Sequence, residues 1–222
     1  MDIIEKALRE GKTSLSEYDS KRLLSVYKIP VAREMPAFDR PGLLDAAREI
    51  GYPVVLKGLA PEILHKTEKS VIKVDIRSDS EAIAAFDEIV ANMAPVKGAV
   101  LVQEMVRGQR ELMVGMTRDP QFGPCVMFGL GGIFTEILRD VTFRMAPLAL
   151  KDAFEMMREI RGHKILDAVR GMPPVDMDLM AEILMAVGRI GLENDRVKEI
   201  DVNPLIIRNG SPVAVDALVV LA

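Results

Sequence analysis

The 222-residue sequence predicts an α/β protein in two lobes, and three observations carry that reading. Capped amphipathic helices alternate with short apolar strands as far as about residue 99. Beyond that point strand follows strand, with hairpin punctuation between them. Neither an internal repeat nor a low-complexity linker separates the two textures, so the lobes are expected to pack against each other. The expected boundaries are a small lobe over 17–99 and a large lobe over 100–222, with an N-terminal helix in 1–16 packing near the large lobe. A crevice between the lobes is where a ligand is expected.

The elements follow in order. Ser14 and Glu17 have capping-box spacing ahead of "YDSKRLLSVYKI", where Tyr18, Leu24 and Tyr27 recur at helical intervals. Pro30 stops that helix near Ile29. "FDRPGLLDAAREIGYP" repeats the pattern: Asp39 is the N-cap, Pro41 lies in the first turn, Leu43, Ala47 and Ile50 share a face, and Gly51 marks the exit. The strand "PVVLKG" begins at once. "VIKVDI" alternates with period two, and Ser78 with Glu81 opens a third capped helix that aligns Ile83, Phe86 and Val90.

From Ala99, "AVLVQEMV", "ELMVGMTRD" and "PCVMFGL" are successive strands, the last two joined by the turn-forming "DPQFG". Helices follow around "KDAFEMMREI" and "MDLMAEILMAVGRI", the second with Met180, Ile183, Leu184 and Val187 on one stripe. "EIDVNPLII" and "PVAVDALVVL" close the chain as a hairpin around Asn209-Gly210.

Composition excludes several classes of function. With 33 acidic and 29 basic side chains the net charge is -4 and no basic block stands out, which argues against a nucleic-acid partner. The start "MDIIEKALREGK" has charges through its first turns and no apolar h-region, and nothing later approaches ~18 consecutive apolar residues. A cytoplasmic protein without a membrane partner is expected. The single cysteine, Cys125, excludes an intrachain disulfide and a cysteine-rich metal site, and its apolar surroundings suit a core residue. The 14 methionines read as core filler.

Few residues could carry chemistry. Asp201, Asn203 and Asp216 fall near the ends of two neighbouring strands, and hard oxygen donors suit Mg²⁺, with Asn203 and Asp216 the best pair. On spacing alone, a turn-forming Asn-Pro and a solvated aspartate explain them equally well. Lys57 ends an apolar strand, where a buried stem can present an ammonium to phosphate, or can simply snorkel to water. "GLGG", 129–132, allows close backbone approach to an anion, or a tight turn. Glu104 and Glu111 flank Gly108 at the lobe boundary, as hinge residues beside a nucleotide or as surface carboxylates. His65, in "APEILHKTEKS", can act as base, ligand or phosphoryl acceptor, although a loop histidine is most often just exposed. His163 lies near Arg158, Arg161 and Arg170 and is given a solvated or structural role.

Taken together, "YPVVLKG", "HKTEKSV", "LVQEMVRGQREL", "RDPQFGPCVMFGLGGIFTEILRDVTFRMAPL" and "EIDVNPLII…VAVDA" resemble the nucleotide-binding β subunit of the ADP-forming acyl-CoA synthetases, the acetate:CoA ligase group related to succinyl-CoA synthetase. The resemblance spans nearly the whole chain, in order. It implies a two-lobed ATP-grasp fold with the nucleotide between the lobes and an acid-thiol ligase reaction: acyl-CoA, ADP and phosphate exchanged with carboxylate, CoA and ATP through phosphohistidine. By position it implies Lys57 on the nucleotide phosphates, Glu104 with the Met105 and Val106 backbone around adenine and ribose, and Glu111 on the ribose. It further implies Asn203 and Asp216 on Mg²⁺, His65 as catalytic phosphoryl relay, and Lys66, Thr67, Gly131 and Gly132 at the phosphates. The implied partner is a CoA-binding α subunit carrying the main catalytic histidine, in a heterotetramer by analogy.

One departure stands out: Ser70 and Val71 occupy positions that are often Gly-Gly in the family, which implies a less open backbone cradle after His65. Two other classes stay open. One is an ATP-grasp carboxylate ligase forming an acyl phosphate on this chain, indifferent to loss of His65. The other is a non-catalytic nucleotide-sensing module, for which Ser70 and Val71 are the hint.

Overall fold

The computed structural model describes residues 3–59, 71–95, 98–132 and 140–222. The chain forms two compact units, one of residues 32–105 and one of 1–31 with 106–222.

The unit 32–105 is a four-stranded antiparallel sheet in the order β1-β4-β2-β3, built from β1 (Glu34–Ala37), β2 (Val54–Leu59), β3 (Ile72–Ile76) and β4 (Ala99–Glu104). Helices α3 (Arg40–Ile50) and α4 (Asp79–Met93) cover one face. Alternation in the strands sends Val54, Leu56, Val100 and Val102 to those helices, where they meet Leu43, Ala47, Phe86 and Ile89. Asp39 caps α3 by accepting from the Gly42 amide at 2.8 Å, with a proline in the first turn. Ser78 caps α4 through the Glu81 amide at 3.3 Å, while the Glu81 carboxylate accepts from the Arg77 amide. The buried stripe of α4 is Ala82, Ala85, Phe86, Ile89 and Met93, and Val90 is exposed. Small alanines let the helix lie close to the sheet, and this turns the stripe away from the expected Ile83, Phe86 and Val90 face.

The second unit contains α1 (Ile3–Arg9), α2 (Glu17–Val26), β5 (Glu111–Asp119), β6 (Gly123–Leu130), β7 (Val141–Met145), α5 (Leu150–Glu159), α6 (Met177–Glu193), β8 (Val197–Arg208), β9 (Ser211–Ala214) and β10 (Leu218–Leu221). Its antiparallel sheet runs β10-β8-β5-β6-β7, with β9 also paired to β8. α5 and α6 pack on one face, where Met156, Met180, Leu184 and Val187 meet Val114, Met116, Val126 and Phe128. Arg118 ties the exit of α6 to the sheet, donating to the carbonyls of Gly191, Asn194 and Val197.

α2 belongs with residues 106–222, whereas β4 belongs with the first sheet. The expected boundaries of 17–99 and 100–222 would put all of α2 in the small lobe and divide β4 after Ala99. The physical reason lies in what each element buries. Leu23 and Leu24 of α2 enter the second core, and β4 is the strand between β1 and β2. The cap of α2 also differs from the capping-box spacing. Ser16 accepts from the Asp19 amide at 3.1 Å, which leaves the Glu17 side chain for an ion pair with Lys21.

The closing segment is a broken hairpin. β9 pairs with the far half of β8, from Leu205↔Ala214 to Arg208↔Ser211, and β10 with its near half, from Leu218↔Asp201 onward. Val215, Asp216 and Ala217 therefore cross opposite Val202, Asn203 and Pro204 without joining either ladder. No helix among the described residues is long and apolar enough to cross a membrane.

Candidate functional site

Strand alternation puts a polar row on the helix-free face of β8. Ile200, Val202 and Leu205 enter the core, so Glu199, Asp201 and Asn203 point the other way. Asp216 lies opposite Asn203, as the register common to the β8–β9 and β8–β10 pairs requires. Its own carboxylate accepts from the Ala217 amide at 2.9 Å, and the Val215 amide donates to the Pro204 carbonyl at 3.2 Å.

The glycine turn after β6 meets the same place. The Gly132 amide donates to Asn203 Oδ1 at 3.4 Å, and the Gly131 amide to the Glu111 carbonyl at 2.9 Å. Gly131 is required by close approach of backbone, and Gly132 by its left-handed φ beside the Glu111 side chain. A Cβ on Gly131 would lie 2.6 Å from the Leu112 carbonyl oxygen, and one on Gly132 would lie 2.1 Å from Glu111 Oε2, at a φ of +62°. Glu111, Gly131, Gly132, Asn203 and Asp216 are thus drawn into one cluster.

Asp201 completes it. Burial pushes its carboxyl up to about 6, and the neighbouring carboxylates of Glu199 and Asp216 add to the shift. Its Oδ1 is buried without a hydrogen-bond partner. A buried carboxyl with an orphan oxygen is costly in a folded protein and marks a place where a cation or proton donor would be welcome. Sequence reasoning named Asp201 but preferred its neighbours. The signal that would have raised it is its i, i+2 relation to Asn203 on one strand face.

In the unit 32–105, the sheet face away from α3 and α4 is unusually polar for a buried surface. Lys57 lies there only 6% exposed, with Gln103 at 2%, and the register Lys57↔Leu101 and Val55↔Gln103 places them on neighbouring rows. Glu104 follows on β4. Its carboxylate accepts from the Arg33 amide at 2.9 Å and stands 3.6 Å from the Arg33 guanidinium, and the Met105 amide donates to the Pro53 carbonyl at 3.3 Å. Val106, buried, opens the other unit. Val71 turns its side chain fully into the core beside α4, and its carbonyl accepts from the Gly58 amide at 2.8 Å. His65, Lys66, Thr67 and Ser70 lie outside the described residues.

Two other expectations meet simple outcomes. His163 stands in a single 3₁₀ turn (His163–Leu166), its Nδ1 3.1 Å from the Ile160 carbonyl. Cys125 is half-buried on β6, and burial raises its thiol above the ordinary value. A separate hollow of about 350 Å³, lined by Arg107, Gly108, Arg110 and Pro173 among others, includes none of the expected site residues.

A polar strand face, a glycine turn closing onto it, and a second sheet with a buried lysine are what an ATP-grasp protein presents, and residues 6–221 match the family described as ATP-grasp domain. The chain belongs to that family. Within it the relatives are specific. The chain is 44% identical, over 99% of its length and 97% of the relative's, to the acetate–CoA ligase [ADP-forming] I subunit beta of Pyrococcus furiosus. It is 40% identical over 99% of its length to the acetate–CoA ligase [ADP-forming] I of Archaeoglobus fulgidus, of which it covers only 33%.

Among solved structures, an acetyl-coenzyme A synthetase 1 of Ca. Korarchaeum cryptofilum, in complex with coenzyme A and Ca-AMPCP, superposes with a TM-score of 0.96 at 42% identity, covering 100% of this chain and 99% of that one. Another complex of that protein, described as holding acetyl-coenzyme A and a phosphorylated phosphohistidine segment, matches at 0.90 and 41%, with the same coverage. The chain is a member of the ADP-forming acetate–CoA ligase β-subunit family.

Proposed function

We propose that this chain is the nucleotide-handling subunit of an ADP-forming acyl-CoA synthetase, which with a CoA-binding α subunit interconverts acyl-CoA, ADP and phosphate with carboxylate, CoA and ATP through a phosphohistidine. The observation that carries the reading is the convergence of Glu111, Gly132, Asn203 and Asp216 beside the orphan oxygen of Asp201. A set of oxygen donors backed by glycine amides suits a metal–phosphate ligand and has no evident use as a packing device. The Pyrococcus relative is a separate subunit and the Archaeoglobus relative a chain about three times as long, so in this reading the partner supplies what the longer chain carries.

Each residue has a role. Lys57 holds nucleotide phosphates as a point charge. The backbone at Glu104, Met105 and Val106 borders adenine, with the Glu104 carboxylate oriented by Arg33, and Glu111 reaches the ribose. Gly131 and Gly132 leave the turn after β6 open for the phosphates, joined by Lys66 and Thr67. His65 relays the phosphoryl group between the partner's histidine and ADP.

The donor chemistry also fits Mg²⁺, for which Asn203 and Asp216 are the ligands, with Asp201 beside them. When bound, the ion supplies charge neutralisation at the phosphate oxygens. Around it, the residues of this chain bind, orient and shield the transferring group, for positioning and electrostatics are most of what phosphoryl transfer needs. A cytoplasmic heterotetramer belongs to the same reading.

The decisive experiment is labelling with γ-labelled ATP and Mg²⁺, on the chain with and without its co-expressed α subunit, for wild type and His65→Ala. Acid-labile label on this chain that disappears in the variant is expected. Label confined to the α subunit and indifferent to the mutation removes His65 from the relay. CoA-dependent turnover by the chain alone removes the subunit reading.

A further inference from the structure

The segment Val215–Ala217 carries Asp216 past Asn203 while belonging to neither β9 nor β10; the Val215 amide ties it to Pro204 on β8, and something other than the sheet also holds it. That something is α2. The Lys21 ammonium donates to the Val215 carbonyl at 3.3 Å and to Glu17 Oε1 at 2.6 Å. One residue earlier, Ser20 Oγ accepts from the Val219 amide at 3.2 Å, on the far side of Asp216. The strand-like approach to α2 adds the Leu15 amide on the Val219 carbonyl at 2.9 Å. The start of the aspartate-bearing crossing at Val215, and β10 just beyond it at Val219, are therefore anchored to consecutive side chains of one helix turn.

The anchor is deeply buried: the side chains of Lys21 and Glu17 are 1% and 2% exposed. A buried ion pair is a poor route to stability, since desolvating two charges offsets most of their attraction and an apolar pair of similar volume commonly does as well. An apolar pair cannot, however, hold a carbonyl in a set direction. The Val215 peptide has its carbonyl gripped by Lys21 and its amide bonded to Pro204 on β8, which leaves the following residue little freedom in where it presents its carboxylate.

We infer that Lys21, clamped by Glu17 and assisted by Ser20, is a positioning residue for Asp216: α2 is a strut that fixes the metal-ligating carboxylate opposite Asn203. This rests on the proposed Mg²⁺ role of Asp216. It gives the buried pair a function in ligand geometry, comparable to groups that orient metal ligands from behind, whose loss typically weakens metal affinity by about 10–100-fold.

The test is calorimetric titration of ADP into the full chain over a series of Mg²⁺ concentrations, for wild type, the double variant Glu17→Leu/Lys21→Met, Ser20→Ala and Asp216→Asn. The double variant avoids leaving one buried charge unpaired, and Ser20→Ala probes the same strut with a smaller lesion. The expected result is a rise of about tenfold in the Mg²⁺ needed for half-maximal ADP binding in the double variant. A smaller rise in the same direction is expected for Ser20→Ala, with metal-free ADP binding and melting temperature close to wild type in both. A purely structural role would lower the melting temperature and weaken binding with or without metal, and that pattern overturns the inference. So does a wild-type Mg²⁺ dependence in both strut variants while Asp216→Asn is impaired. If Asp216→Asn itself keeps the wild-type Mg²⁺ dependence, the metal role of Asp216 fails, whatever the strut variants do.

Discussion

The Gly132 amide donates to the side-chain oxygen of Asn203 at 3.4 Å, which joins the turn after β6 to the polar face of β8, two strands away in the sheet. Two glycines make the turn fit, for different reasons, and alanine should separate them. At Gly131 the added Cβ meets backbone 2.6 Å away, which cannot yield, so Gly131→Ala should cost about 1–3 kcal/mol of stability in urea unfolding. At Gly132 the obstacle is the movable end of Glu111, but the left-handed backbone still costs about 1–2 kcal/mol. Gly132→Ala should displace the Glu111 carboxylate, so its larger effect should be on ADP affinity, read by calorimetry. Equal ADP affinity in Gly132→Ala and wild type would detach Glu111 from the nucleotide.

Lys57 is buried in a sheet face where a methionine of similar length would fit. Charge-assisted hydrogen bonds to a ligand are worth about 1.5–3 kcal/mol, so Lys57→Met should weaken ADP binding by roughly 10–100-fold. Unchanged affinity in a folded variant would remove Lys57 from the phosphate site.

Asp201 should make stability pH-dependent in metal-free buffer. Its carboxyl is held near 6 in the folded chain, against 3.8 ordinarily, so the folded state binds the proton more tightly than the unfolded state. The associated stability is fully present below pH ~4 and is lost as the pH rises through about 6, a difference of about 2–3 kcal/mol at 1.36 kcal/mol per unit. Asp201→Asn should abolish that loss, so the variant should gain on wild type at pH 7.5 and not at pH 4. Parallel denaturation curves at the two pH values check this, and an equal wild-type-to-variant difference at both would refute it.

Arg110 is a buried cation that serves the backbone, donating to the carbonyls of Ile165, Asp167 and Pro173. Removing it strands several carbonyls, so Arg110→Met should cost about 2–4 kcal/mol, and Arg110→Lys should recover only part because an ammonium lacks the planar fork. Thermal melts of the two variants decide the matter. A wild-type melting temperature in Arg110→Met would mean that other donors take over the three carbonyls.

Much of this protein was legible from its residues in order. The apolar run "PVVLKG", the Asp39 and Ser78 caps, the "DPQFG" hairpin and the stripe on α6 all depend on near neighbours, and near neighbours are what a sequence displays; the alternation expected of "VIKVDI" is broken by a register shift that leaves Val74 exposed. The ATP-grasp resemblance likewise rests on runs of adjacent residues. Tertiary structure decided what depends on partners distant in the chain. The stripe on α4 rotated because its alanines let a sheet approach. α2 joined the far half of the chain because Leu23 and Leu24 found their core there. That Asp216 faces Asn203 follows from the hairpin register about Asn209-Gly210, but no local pattern announces that Val215–Ala217 leave the ladder between β9 and β10. The buried Glu17–Lys21 pair makes the same point: as sequence it is an ordinary i, i+4 pair, and only the carbonyl of Val215, 194 residues away, gives it something to hold.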